Sequence, residues 1–219
     1  MVSANHVRRD RGGFTLIEVL VVVAMIALLT AILLPSLRSA RDASKAAVCL
    51  SNMRQIGVSM RMYADENNGA VVALMETSTG FVHWIELLRK YIATTDVCRC
   101  PADLSTTWEA DPFAPTAGLR TTSYVTNNRM TPEQGITKLS QIRRPTEKIL
   151  MAEFLDNHIG DHFHPESWSL FLSQPEDEIA VKRHLKKANY WFLDGHAEPL
   201  FFESTWNIDG TVDRYDPKR

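Results

Sequence analysis

The sequence predicts an α+β protein. A long N-terminal helix, membrane-spanning at first and amphipathic beyond, is expected to pack on a small antiparallel β-sheet head with long loops. Three observations predict it. Phe14–Leu34 is an apolar run whose sole charge is Glu18. Past Pro35, apolar residues recur at helical spacing. Beyond residue 120, short β-prone runs alternate with turn residues. At 219 residues, 45% hydrophobic and 23% charged, the chain is neither disordered nor a multi-span membrane protein. The net charge of -2 argues against a dedicated nucleic-acid binder. It hides an asymmetry: residues 1–62 hold 8 Lys+Arg against 3 Asp+Glu, and residues 63–219 hold 16 against 23.

The first element follows a polar stretch carrying Arg8, Arg9 and Arg11. Phe14–Leu34 covers roughly 31 Å as a helix, about the hydrocarbon thickness of a bilayer. Such a run is long for a buried core helix. It also exceeds the usual signal-peptide apolar region, and no A-x-A-like site closes it. It reads as a retained transmembrane anchor over residues 14–34. A carboxylate there costs on the order of 3 kcal/mol to insert, so Glu18 needs a compensating partner. Cleavage between Gly13 and Phe14 would create an ammonium four residues before it. Opposite charges about 4 Å apart gain on the order of 4 kcal/mol at an effective dielectric of 20. A neighbouring chain's amine could therefore offset the cost and set the register between two subunits.

The second element continues the helix over 35–68. Ala43, Ala46, Ala47, Leu50, Met53, Gly57, Met60 and Ala64 form an apolar stripe, after a kink at Pro35, and Asp65–Gly69 ends it. A short helix is expected over Val82–Ile92 with Trp84, Ile85, Leu88 and Tyr91 on one face. Residues 101–122 read as a long irregular connection. Strands are expected at Thr122–Val125 and Lys148–Glu153. The best hairpin signal is Ala188–Phe202, where Asp194-Gly195 predicts a type I′ turn and Pro199 restricts the second strand to an edge. The head comprises 69–219.

RGGFTLIEVLVVVAMIALLTAILLP resembles the N-terminus of type IV prepilins and type II secretion pseudopilins. The resemblance implies a leader, residues 1–13, cut after Gly13 by a prepilin peptidase at the cytoplasmic face. It implies N-methylation of Phe14, an assembly role for Glu18 and a helix kink at Pro35. AVCLSNMRQIGVSMRMYADENNG, Cys100-Pro101, TSYVTN, RRPTEKILMAE and RHLKKANYWFLDGH resemble, in that order, pseudopilin-like proteins with a prepilin-type processing-associated H-X9-DG domain. Here the element is His184, nine residues, then Asp194-Gly195; the resemblance assigns it no chemical role.

The function so implied is a structural subunit of a secretion or pilus-like envelope filament, not an enzyme. Its partners would be other pilin or pseudopilin subunits, the peptidase, an inner-membrane assembly platform and a secreted cargo. The anchor would sit in the cytoplasmic membrane with the head outside the cytoplasm. A second reading is a membrane-tethered binding head, a minor pilin or adhesin for exoprotein, glycan or DNA. A third is an anchored metal-dependent enzyme.

Cys49, Cys98 and Cys100 allow three pairings. Cys98 and Cys100 are too close in sequence to bond without distortion, and the resemblance favours Cys49–Cys100. His158, His162 and His164, beside Asp156, Asp161 and Glu166, have the count for a metal site but the surroundings of a polar loop. His184, Asp194 and His196 suggest an oriented base, yet Asp194-Gly195 is already explained as a turn. The cations of residues 182–187 read as a solvated patch, with nucleic acid an unfavoured partner. No catalytic residue, metal or cofactor is assigned.

Overall fold

Helix α1 (Leu16–Glu66) continues without interruption through Pro35, the position of the expected kink. The structure is a computed structural model, described over residues 15–73, 75–77, 80–116 and 118–219. Gly13 and Phe14 lie outside the described residues. The chain divides into two compact units, Met1–Arg41 and Asp42–Arg219.

In the first unit the large apolar side chains from Leu16 to Leu37 are exposed, and the helix is long and apolar enough there to cross a membrane. Ser36 Oγ donates to the Leu33 carbonyl at 2.8 Å, a local bond in the turn containing Pro35.

In the second unit α1 buries Cys49, Asn52, Met53, Ile56, Gly57, Ser59, Met60 and Ala64. The stripe is therefore shifted from the expected one: Ala43 and Ala47 are exposed, and Cys49 and Ile56 join it. Cys49, Met53, Ile56 and Met60 recur at three- and four-residue spacing and so share one face, and Ala43 and Ala47 precede its first buried residue. Asn68, in the left-handed region at φ 54°, and the Gly69 amide, donating to Ala64 O at 2.8 Å, close the helix as expected.

A two-stranded ribbon, β1 (Met75–Thr77) with β2 (Gly80–Val82), follows. The helix expected over Val82–Ile92 is not formed. Val82 belongs to β2, and the rest is a 3₁₀ turn, Glu86–Leu88, in which Leu88 donates to Ile85 O and Arg89 to Glu86 O. Trp84, Ile85 and Leu88 are fully buried. The Glu86 carboxylate accepts from the His83 amide at 2.8 Å, starting a tight turn and not a long helix.

The main sheet has the order β5-β3-β4-β6-β7. Its strands are β3 (Tyr124–Asn127), β4 (Ile149–Glu153), β5 (His162–Phe163), β6 (Ala188–Phe192) and β7 (Ala197–Leu200), with helix α2 (Pro165–Ser169) between β5 and β6. The expected antiparallel sheet is instead mixed, because β5 pairs parallel with β3. Both flanks of β4 are taken by β3 and β6. A strand returning from β4 must therefore go beyond β3, where its direction makes the pair parallel.

The β6–β7 hairpin forms with Pro199 on the edge strand, but its turn is not type I′. Gly195 donates to Phe192 O, and Phe192 donates to His196 O at 2.9 Å. Gly195 has φ 104° and Asp194 is not left-handed, so the loop has three residues with glycine in its last position. Leu193 is buried and its amide donates to Lys148 O, which moves the turn along by one residue.

Both faces of the sheet are covered. Tyr124, Met151, Trp191 and Ala197 join Met53, Ile56 and Met60 of α1 in one core. Val125, Ala152, Tyr190 and Phe192 join Phe163, Trp168, Ile179, Val181 and Tyr215 in the other. Burial on two sides explains why ILMAE and ANYWF read as continuous apolar runs without polar alternation. A bulge between Ile149 and Met151 lets adjacent Leu150 and Met151 enter the same core.

Candidate functional site

Glu18 sits in the first turn of α1 and closes a capping box with Thr15. Its Oε2 accepts from the Thr15 amide and hydroxyl, both at 2.8 Å, and Thr15 Oγ1 accepts from the Glu18 amide at 3.3 Å. Thr-x-x-Glu before an apolar run is the sequence signature of this motif. The carboxylate thus satisfies the helix start locally while both residues stay exposed.

A second constellation lies inside the head. Cys49 comes from α1, Cys100 from the loop after the 3₁₀ turn Thr95–Cys98, Glu153 from the end of β4 and His184 from the turn before β6. The sulfurs, one His184 nitrogen and one Glu153 oxygen all lie within 4.8 Å of one another, and all four residues are buried. His184 Nε2 is 3.4 Å from Cys100 Sγ and 2.8 Å from Glu153 Oε1. Cys49 Sγ is 2.7 Å from the same Oε1 and 3.2 Å from the Tyr124 hydroxyl. The other Glu153 oxygen accepts from the Asn189 amide at 2.8 Å.

Local chemistry explains how the sequence presents these groups. Glu153 shares the α1-facing side of β4 with Met151, two residues away. His184 and Lys187 exchange both backbone bonds, at 2.8 and 2.9 Å, around Leu185 and Lys186. Those two residues hold φ of 50° and 71°, so the type I′ turn stands here, built from non-glycine residues. A bulky residue such as Leu185 is strained in that region, and the strain is spent aiming His184 inward.

The charges respond. Hydrogen bonding from Cys49 and His184 holds the Cys100 thiol down to about 6 despite burial. Burial would lower His184, but its bonds to Cys100 and Glu153 raise it to about 9. Burial first, then the neighbouring Cys100 and Glu153, push Cys49 far up. All three cysteines are free thiols in this structure, which brings together Cys49 and Cys100, the pair favoured by the resemblance, without bonding them.

The remaining sequence candidates separate. His184 stands before β6 and Asp194 after it; Asp194 Oδ1 is 2.5 Å from His196 Nδ1, whereas His184 turns to Glu153. His162 and His164 rings meet edge to face at 4.6 Å, but each is taken by its own carboxylate, Asp161 at 2.6 Å and Glu178 at 3.4 Å. His158 packs edge-on against Phe154. The expected patch at 182–187 loses Arg183, whose side chain is buried against Asp156 and the Phe154 carbonyl. Sequence reading missed Glu153, which lay hidden in an apolar strand run. It also missed the Thr15–Glu18 box, whose spacing was readable.

Residues 8–34 match the prokaryotic N-terminal methylation motif. The N-terminus is prepilin-type. Over 60 residues, 27% of its length, the chain is 37% identical to the type II secretion system core protein G of Pseudomonas aeruginosa, covering 42% of that protein. It is 40% identical over 60 residues to the type IV wide pilus major component PilA4 of Thermus thermophilus, 27% of this chain and 46% of that one. The chain thus spans less than half the length of either relative. No solved structure matches it. The prepilin motif coincides with the exposed apolar part of α1, and together they fit a protein anchored in the inner membrane. The motif match ends at residue 34, before the H-X9-DG element.

Proposed function

We propose that this chain is a pilin-like structural subunit of a type II secretion or type IV pilus-like filament, assembled through the first part of α1. One observation carries the reading: a carboxylate, Glu18, in the first turn of an exposed apolar helix that lies within the prepilin motif. In water-filled surroundings such a helix face would be a liability. In a membrane, and then against the same helices of neighbouring subunits, it is an interface.

In this account residues 1–13 are a leader removed at the cytoplasmic face by a prepilin peptidase, and Phe14 is the new, N-methylated first residue. Residues 14–34 cross the membrane, Pro35 bends the helix, and the head stands outside the cytoplasm. Other pilin-type subunits and an inner-membrane assembly platform are the partners. The small Gly13 lets the peptide enter the peptidase. Intact-mass measurement of membrane-extracted protein tests this: the expected chain runs from Phe14 and carries one methyl group. A retained leader in cells that possess the peptidase would contradict the proposal.

A further inference from the structure

We propose that Cys49, Cys100, Glu153 and His184 form a structural metal site for a zinc-class divalent ion inside the head. A catalytic Cys–His–carboxylate relay uses opposite nitrogens of the imidazole, one toward sulfur and one toward the carboxylate. Here the same atom, Nε2, faces Cys100 Sγ at 3.4 Å and Glu153 Oε1 at 2.8 Å. Its single proton can serve one of them. Glu153 Oε1 in turn meets Cys49 Sγ at 2.7 Å, closer than a thiol donor ordinarily stands from an oxygen. Four lone-pair-bearing atoms therefore point at one volume, and the two close contacts of Nε2 cannot both be hydrogen bonds from its one proton.

That is the arrangement of ligands around a cation. A tetrahedral zinc site with metal–ligand bonds of about 2.0–2.3 Å has ligand–ligand edges of about 3.3–3.8 Å. The four donor atoms fall within 4.8 Å of one another, so adjustments on the order of 1 Å satisfy it. Two thiolates with an imidazole select a soft, tetrahedral ion over magnesium or calcium. The residues are 0%, 3%, 0% and 4% exposed, leaving no open coordination position for a substrate. A closed, four-ligand site is structural. It would tie α1 to the loop after residue 98, to β4 and to the strained turn before β6. An outer group fits as well: the Asn189 amide fixes the second Glu153 oxygen at 2.8 Å. Binding displaces the protons carried by the thiols and by His184 Nε2, since the metal takes thiolate and unprotonated imidazole ligands. The inference is independent of the filament reading.

The test uses the full chain extracted in detergent without chelator or reductant. The expected result is about one zinc per chain by elemental mass spectrometry. Cys98 should become alkylatable on denaturation alone, and Cys49 and Cys100 only when chelator is added as well. Cobalt exchanged into the site should give the thiolate charge-transfer and intense visible bands of tetrahedral coordination. Cys98→Ser should keep the metal and the spectrum, and Cys100→Ser should lose both. If Cys100→Ser fails to fold, the wild-type metal content and cobalt spectrum still decide. Three free thiols with no zinc, and none taken up on titration, would overturn the site. So would a Cys49–Cys100 disulfide peptide in a non-reducing map of metal-free protein.

Discussion

At Gly57 the backbone of α1 touches the indole of Trp191. A Cβ there would stand 1.9 Å from Nε1 and 2.3 Å from Cε2. Alanine is the better helix former by about 1 kcal/mol, yet overpacking a rigid contact costs about 1–3 kcal/mol. Trp191 is 3% exposed and has nowhere to retreat. Gly57→Ala should therefore destabilise the head and lower its denaturant midpoint; an unchanged or raised midpoint would contradict the packing. A second residue-scale case is Arg120, fully buried, which pairs with Asp103 at 2.7 Å and donates to the carbonyls of Leu155 and His158. Removing one member of a buried pair costs about 3–5 kcal/mol, because the other is left charged. Arg183 also faces Asp103, at 3.7 Å, so Arg120→Met should fall short of that loss, and adding Asp103→Leu should recover part of it, read by thermal unfolding of both variants. Gly57 was visible in the sequence as a member of the stripe. Arg120 was not, since an irregular connection has no period that marks an inward-facing charge.

At the scale of elements, the segment from β5 to residue 181 is pinned by two histidine–carboxylate pairs. His83 Nδ1 lies 3.1 Å from Asp161, and His164 Nδ1 lies 3.4 Å from Glu178. Burial works against both carboxylates. The hydrogen bond from His162, with the His83 ring 3.1 Å away, nevertheless holds Asp161 at about 2, and bonds from His164 and Ser173 hold Glu178 at about 2. The same pairs raise His83 and His164, aided by nearby Glu86 and Glu166. Depressed carboxylates contribute stability above their unfolded values of about 4, lost as pH falls toward 2. Raised histidines contribute below about 6.5, and that part is lost as pH rises through their folded values. Thermal stability should thus be highest between about 4.5 and 6.5. His164→Gln should shrink the alkaline limb while leaving most of the acid limb; an unaltered alkaline limb would show that the pair adds nothing. Elements with strong patterns were legible: α1, the runs of β3 and β4, and the β6–β7 hairpin. The parallel β5 and the 3₁₀ turn at Glu86–Leu88 were not. Their geometry is decided by which sheet edge is free and by one side-chain cap, neither of which leaves a periodic trace. The buried cluster was half legible, through its cysteines and His184, because only the strand register brings Glu153 to them.

At the scale of the whole molecule, the anchor was the most legible part, since its length, apolarity and lone carboxylate need no tertiary context. Glu18 is also where the account is most exposed. Its carboxylate completes the capping box at the start of α1, so a purely local role competes with subunit pairing. Glu18→Gln separates the two. Glutamine sustains a capping box and keeps the size, while deleting the charge. Insertion of the isolated subunit should be unimpaired, because the cost of a membrane carboxylate is removed. Assembly should fail, because the incoming Phe14 amine loses its counter-charge and would stay buried unpaired. The decisive measurement is in-membrane cross-linking of processed subunits, wild type against Glu18→Gln, at matched expression. The account predicts cross-linked multimers in the wild type and their loss in the variant with processing intact. Undiminished cross-linking in Glu18→Gln would leave Glu18 a helix cap alone and contradict assembly through its charge.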